Sequence, residues 1–205
     1  MATCIITLWS SKNNQNKIAP AAIFCYHLFM KHILITGIPG SGKSTLSHIL
    51  RDKGFNAIDL EEVPQLFIMV DQETRQPIDN YDNTDLQQVA AADWICDKDA
   101  LKKLIQSQNQ PVNFYCGSSS NIEDLLPLFN EIILLQISEA VMRERLSKRP
   151  DTDFGGKPEV QDWVMTWKDW WNNEMIEEGA KVVDADQPLE LITSTIIKMY
   201  PELAK

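Results

Sequence analysis

Apolar residues follow two rhythms along this chain, and their alternation sets the expected fold class. Short, β-rich apolar runs occur at KHILITG (31–37), FNAID (55–59), VNFYC (112–116), EIILLQI (131–137) and AKVVDA (180–185). Each is bounded by turn-forming residues, which predicts buried strands. Between them the spacing becomes helical. Leu46, Ile49 and Leu50 follow Lys43, with Gly54 as the stop. LEEVPQLFIMV (60–70) predicts a helix with Pro64 in its first turn, and DQETRQPIDNYDN (71–83) a polar, turn-rich loop. Asn83 or Thr84 then caps a predicted long helix through about Gln108, with Leu86, Val89, Trp94, Leu101 and Ile105 on its apolar side. Ser138 caps a helix through SEAVMRERLSKR, a Trp-rich helix runs from about Glu159 to Glu178, and a last one from Pro188 to about Met199. Strands alternating with helices imply an α/β fold: a mainly parallel sheet with helices on both faces.

One stretch carries specific chemistry. HILITGIPGSGKSTLSHIL (32–50) joins a strand to a helix through Gly37-x-x-x-x-Gly42-Lys43-Ser44, the pattern of a phosphate-binding loop. Glycines at 37, 40 and 42 permit backbone torsions that turn successive N–H groups inward. The helix starting at Lys43 adds its positive end. Lys43 supplies a charge for the β- and γ-phosphates, Ser44 a hydroxyl ligand for Mg²⁺, and Thr45 a hydroxyl within reach of the α-phosphate. The loop residues Gly37, Pro39, Gly40, Ser41, Gly42, Lys43, Ser44 and Thr45 therefore form the candidate site for a nucleotide polyphosphate.

Charge narrows the partners. Among 205 residues, 29 acidic side chains oppose 19 basic ones, a formal net charge of −10, which disfavours general nucleic-acid binding and leaves room for a local basic pocket. Residues 1–29 differ from the rest: a polar SSKNNQNK tract and an apolar IAPAAIFCYHLF run too short to span a bilayer. They are expected to be a disordered or loosely packed extension, with one working domain over 30–205. Cys4, Cys25, Cys96 and Cys116 form no C-x-x-C pair and suggest reduced thiols in a cytoplasmic protein. The three histidines, His27, His32 and His48, show no metal-ligand spacing, and Trp163, Trp167, Trp170 and Trp171 recur at helical spacing, the pattern of an aromatic core face, with a base-stacking platform as the alternative.

With GIPGSGKS, IDLEE, RERLSKR and VVDADQPLE in place, the chain from Met30 onward resembles the small P-loop kinases of metabolites and nucleotides, such as shikimate, gluconate, adenylate and cytidylate kinases. The resemblance implies a three-layer P-loop NTPase fold with a five-stranded parallel sheet in the order 2-3-1-4-5. It also implies a small mobile lid over the phosphates, here PDTDFGGKP, about 149–160. By the same resemblance Asp59 stands on the metal and base side and Glu61 on the substrate side. The competing reading of these acids is a helix N-terminus decorated with carboxylates. Arg145 and Arg149 lie four apart on one helical face; the resemblance implies adenine stacking for the first and a phosphate contact from the lid for the second. Arg143 and Lys148 are alternatives in another register, and a solvated basic helix is the plain reading. Asp184 and Ala185 would border adenine, mostly through backbone groups. Gly117 and Ser118 would face the acceptor, although helix capping by Ser120 or Asn121 explains the same run equally well.

The function implied is transfer of the ATP γ-phosphoryl group, with Mg²⁺, to a small-molecule acceptor by a monomer or homodimer. Lys43, Asp59 and Arg149 would be the catalytic residues. The only arginine between residues 60 and 90 is Arg75, which leans the acceptor toward a nucleoside or small polar metabolite over a nucleotide. The alternative class is a nucleotide-dependent regulatory ATPase or GTPase. The strand VNFYC ends without the acid that hydrolytic motors place there, which weighs against that alternative.

Overall fold

The computed structural model describes residues 30–201; the expected extension over 1–29 and the last four residues of the 30–205 domain lie outside them. Seven strands follow in chain order: β1 (Lys31–Thr36), β2 (Asn56–Asp59), β3 (Phe67–Asp71), β4 (Ala92–Cys96), β5 (Val112–Cys116), β6 (Glu131–Gln136) and β7 (Lys181–Asp184). The helices are α1 (Lys43–Asp52), α2 (Leu86–Ala90), α3 (Lys98–Gln106), α4 (Ile122–Leu125), α5 (Glu139–Leu146), α6 (Pro158–Glu177) and α7 (Leu189–Lys198).

Five strands form one parallel sheet in the order β2-β5-β1-β6-β7. Counted within that sheet alone, this is the expected 2-3-1-4-5. Consecutive residues of β1 and β6, such as Ile33, Leu34 and Ile35 or Ile133, Leu134 and Leu135, are all at most 2% exposed. Side chains on both faces are therefore covered, as a parallel sheet flanked by helices requires. The chain leaves β1 toward β2 and β5 on one side, then crosses to β6 on the other. The crevice above β1 is thus the point where strand order reverses, the place where open α/β sheets bind ligands.

The predicted helices 43–54, 138–149, 159–178 and 188–199 are all found within a few residues. Ser138 caps α5 by accepting from the Val141 N–H at 3.3 Å. The tryptophans of α6 form an edge-to-face chain from Phe154 through Trp163 and Trp167 to Trp171. Trp171 is buried and Trp170 lies outside at 58% exposure, so the face is structural for three of the four.

Two expectations fail between residues 60 and 108. The helix over 60–70 is a single 3-10 turn, Leu60–Glu62, followed by β3. Pro64 cannot continue the helical hydrogen-bonding, and Gln65 takes a positive φ of 60°. The long helix is broken into α2, β4 and α3. Asp85, rather than Asn83 or Thr84, caps α2 through the amides of Gln87 and Gln88. Asp97 caps α3 through Asp99 and Ala100, each at 2.9 Å. Between these caps, residues 92–96 pair antiparallel with β3 to form a ribbon outside the main sheet.

What holds the ribbon explains a third correction. Asn121 does not cap α4 with its side chain. It accepts from the Cys96 N–H and donates to the Cys96 carbonyl, both at 3.0 Å. The Ser120 hydroxyl accepts from the Trp94 N–H at 3.0 Å, while the Ser120 N–H donates to the Trp94 carbonyl at 2.8 Å. The run after β5 thus imitates a neighbouring strand for β4. Replacing Asn121 with alanine strands both backbone groups of Cys96, itself 1% exposed. The expected cost is about 1–3 kcal/mol in urea unfolding, with faster hydrogen exchange at Cys96 than at β1 amides.

Candidate active site

The phosphate-binding loop closes tightly around its own backbone. A Cβ on Gly37 would lie 2.7 Å from the Leu135 carbonyl oxygen and 2.9 Å from Ser41 Oγ, a space no side chain can share. Gly42, directly before α1, has φ 97°, in the left-handed region that favours glycine. Lys43 is 8% exposed and folds back to donate to the carbonyls of Gly37 at 2.7 Å and Ile38 at 3.3 Å. Burial holds its ammonium below the ordinary lysine range; Glu61 and Asp59 oppose that shift, while the charge of Arg149 adds to it. All three charges thus act on Lys43 at the head of the sheet.

Asp59 closes β2 at 3% exposure. One carboxylate oxygen accepts the Glu61 N–H at 3.0 Å; the other has no hydrogen bond among the described residues. Asp59 is the register partner of Cys116 at the end of β5. The strand expected to end without an acid does so, and the adjacent strand brings a carboxylate to the same level. Cys116 itself is a free buried thiol. Burial, reinforced by the negative charge of Asp59, pushes its pKa up, which leaves it protonated and unreactive.

The other predicted residues divide into three groups. Ser44 and Thr45 stand exposed on the first turn of α1, their hydroxyls making no hydrogen bond among the described residues. Arg145 ties two loops together: its guanidinium donates to the carbonyls of Gly40 at 3.3 Å, Ser41 at 3.4 Å and Ala185 at 2.8 Å. Asp184 uses both oxygens within its own turn, accepting from the Asp186 N–H and the Gln187 amide. Gly117 offers no room for a ligand on its Cα, since a Cβ there would sit 3.1 Å from Leu60 Cβ. Ser118, half-buried, lines a small gap with Phe67 and Leu60. Arg149 donates to the Phe154 carbonyl at 2.8 Å, inside the turns that link α5 to α6.

Arg145 is legible as more than a surface charge only once these loops are seen together. Its replacement by alanine frees three carbonyls and is expected to lower stability by about 1–2 kcal/mol. The KM for Mg·ATP should rise more than kcat falls, and lysine, which lacks the planar fork, should restore little of either. Steady-state kinetics on the two variants checks both expectations.

A trio missed by the sequence borders the site. His48 Nε2 and carboxylate oxygens of Asp59 and Glu62 lie within 4.8 Å of one another, although no ligand spacing marks His48 in the sequence. Glu62 accepts from His48 at 2.7 Å and from both terminal nitrogens of Arg51 at 3.1 Å. These hydrogen bonds, His48's first, hold the Glu62 carboxyl below the usual carboxylate range.

A sequence profile described as an AAA domain matches residues 33–166, well over half of the chain. The chain belongs to this AAA domain family. No curated protein sequence matches it. Solved structures with similarity to it include a deoxyadenosine kinase from M. mycoides with the products dCMP and a flexible dCDP bound. That kinase is 16% identical, with 84% of this chain and 99% of that one covered and a TM-score of 0.49. A gluconokinase from Sinorhizobium meliloti is 20% identical, covering 86% and 94%, with a TM-score of 0.49. A shikimate kinase from Aquifex aeolicus is 19% identical, covering 84% and 98%, with a TM-score of 0.45. Such scores leave the P-loop fold resting on the strand order and phosphate loop of this AAA domain itself. Among the described residues no helix is long and apolar enough to cross a membrane.

Proposed function

We propose that this AAA-domain protein is a phosphotransferase that moves the γ-phosphoryl group of Mg·ATP onto a hydroxyl of a small acceptor. The observation that supports the reading is the buried Lys43 ammonium folded onto a glycine-lined loop, with the buried Asp59 carboxylate closing the adjacent strand and the charges of Glu61, Arg149 and Asp59 acting on that ammonium. The loop fits a polyphosphate. The hydroxyls of Thr36 and Ser41 are buried there without a partner, and Lys43 has only loop carbonyls to bind, so a phosphate would meet groups in need of one. Hard oxygen donors suit Mg²⁺; the Ser44 hydroxyl would hold it directly and Asp59 through a bound water. The ion supplies neutralisation of the charge spread over the transferring oxygens.

The chain's own residues divide the remaining work. Loop amides and Lys43 hold the β- and γ-phosphates, and Arg149, placed on the turns after α5, adds charge as the γ-phosphoryl group becomes metaphosphate-like. The free oxygen of Asp59 orients the acceptor hydroxyl and takes its proton. The bond from the γ-phosphorus to the bridging oxygen breaks, a bond to the acceptor oxygen forms, and ADP leaves. Residues 149–160, with Gly155 and Gly156 packed between α5 and α6, would act as the lid.

The test is ADP release measured with and without a panel of hydroxyl compounds, together with transfer of label from γ-labelled ATP into a new product. Acceptor-dependent transfer supports the kinase reading. ATP turnover that no acceptor changes would replace it with the regulatory-NTPase reading.

A further inference from the structure

Acidic and basic side chains are unevenly distributed along the chain. Residues 61–99 run from the turn after β2 through the β3–β4 ribbon to the start of α3. They hold ten acidic and two basic side chains, a net −8 out of −10 for the whole chain. Of the two bases, Arg75 is neutralised by Asp93 at 2.5 Å, and Lys98 lies exposed at the first position of α3. Residues 143–157 hold five basic and three acidic side chains, a net +2, and include Arg145 and Arg149; Lys157, the last of them, donates to the Thr84 carbonyl of the acidic segment at 3.1 Å.

Several of the acids are spent on local structure, since Asp71, Asp82, Asp85 and Asp97 accept from nearby amides. Their charge still contributes to the field, and two carboxylates at the site are not so spent. Glu61 is exposed and its carboxylate has no hydrogen bond or ion pair among the described residues. Asp59, 3% exposed, uses one oxygen on the Glu61 N–H and keeps the other unpartnered among the described residues, and its carboxylate lies within 4.8 Å of the His48–Glu62 pair. Close to them, Phe67 stacks on Trp94 with ring centroids 4.9 Å apart and planes 4° from parallel. Phe67 also lines the gap beside Gly117 and Ser118. A phosphate or carboxylate brought here would meet the like charge of Asp59 and Glu61, and the arginine nearest in the group, Arg51, is already bound to Glu62. An ammonium group would meet carboxylates and aromatic faces, both of which attract it.

We infer that the acceptor is a positively charged hydroxyl compound, an amino alcohol or amino sugar, whose ammonium group is held by Glu61 and whose hydroxyl is presented to Asp59. The inference rests on the phosphotransferase reading and gives it a substrate class. Donor and acceptor are then sorted by charge: the polyphosphate is drawn to Lys43 and the loop amides, the cation to Glu61.

The experiment separates a small-molecule cell extract by ion exchange into cationic, neutral and anionic pools. Each pool is incubated with the full chain and γ-labelled Mg·ATP, and label in products other than ADP and inorganic phosphate is counted. Transfer into the cationic pool should exceed that into either other pool by tenfold or more. Glu61→Gln should cut it about tenfold. The double charge reversal Glu73→Lys, Asp79→Lys, on exposed loop positions outside the site, should weaken transfer at low salt and have little effect at 0.5 M salt, where surface fields are screened. Preferential labelling of the neutral or anionic pool overturns the substrate class and leaves the kinase reading standing. Labelling of no pool, with ATP still bound, overturns the kinase reading and this inference with it.

Discussion

Replacing Lys43 with alanine is expected to remove phosphoryl transfer by a factor of about 10²–10³ or more, the loss typical when one preorganised donor to a developing charge is deleted. The protein should remain folded. In the absence of nucleotide the Lys43 ammonium is buried against two carbonyls of its own loop, and burial opposes its charge, so its removal deletes an electrostatic cost along with two hydrogen bonds. The decisive contrast is therefore in ligand response. With Mg·ATP at a hundred times Kd the wild type gains about 2.7 kcal/mol; a variant binding a hundredfold more weakly gains about 0.4 kcal/mol. Thermal unfolding with and without Mg·ATP reads this directly. An unaltered ATP-induced shift in the alanine variant would mean that the loop does not grip a triphosphate, and the phosphotransferase reading would fall.

The loop and the central strands were open to reading from residues alone for two physical reasons, whereas the strand order came with the resemblance to the small P-loop kinases. A parallel strand covered on both faces is an uninterrupted apolar run, which Ile33–Ile35 and Ile132–Leu135 display. A backbone that must surround phosphate admits few residue types, and Gly37, Gly42 and Lys43 are among them. The β3–β4 ribbon was hidden because its sequence supports two local answers. Leu86, Val89, Trp94 and Leu101 fit a helical stripe, and a strand at 92–96 wins only because Ser120 and Asn121, some 25 residues on, supply its missing partners. Asp97 was the available local signal: as a helix cap immediately after the run, it marks a restart and so a break before it. The His48–Glu62–Arg51 group was equally hidden. It exists because α1 packs against the end of β2, a proximity that no spacing along the chain encodes. The role of Arg145 was half visible. Its position after β6 marked it for the nucleotide side, but the bond to Ala185 depends on a loop forty residues later.

Replacing Asp59 with asparagine separates chemistry from folding more sharply than any other change at the site. The two side chains are nearly isosteric, and the amide oxygen can still accept the Glu61 N–H now bound at 3.0 Å, so the turn after β2 should persist. What disappears is the free carboxylate oxygen proposed to take the acceptor proton and one of the negative charges that raise the pKa of Lys43. The first loss is expected to lower kcat by about 10²–10⁴, with a much smaller effect on the affinity for ATP. The second has a definite sign. ATP affinity depends on a protonated Lys43 and is lost as pH rises through the pKa of the free protein. Without the charge of Asp59 that pKa lies lower, so the alkaline fall in ATP affinity should begin at lower pH in the variant than in the wild type. Calorimetric titrations across alkaline pH, set beside single-turnover rates, measure the two effects independently. A variant that kept full kcat would remove Asp59 from the reaction; a fall in affinity at higher pH than in the wild type would contradict its placement beside Lys43.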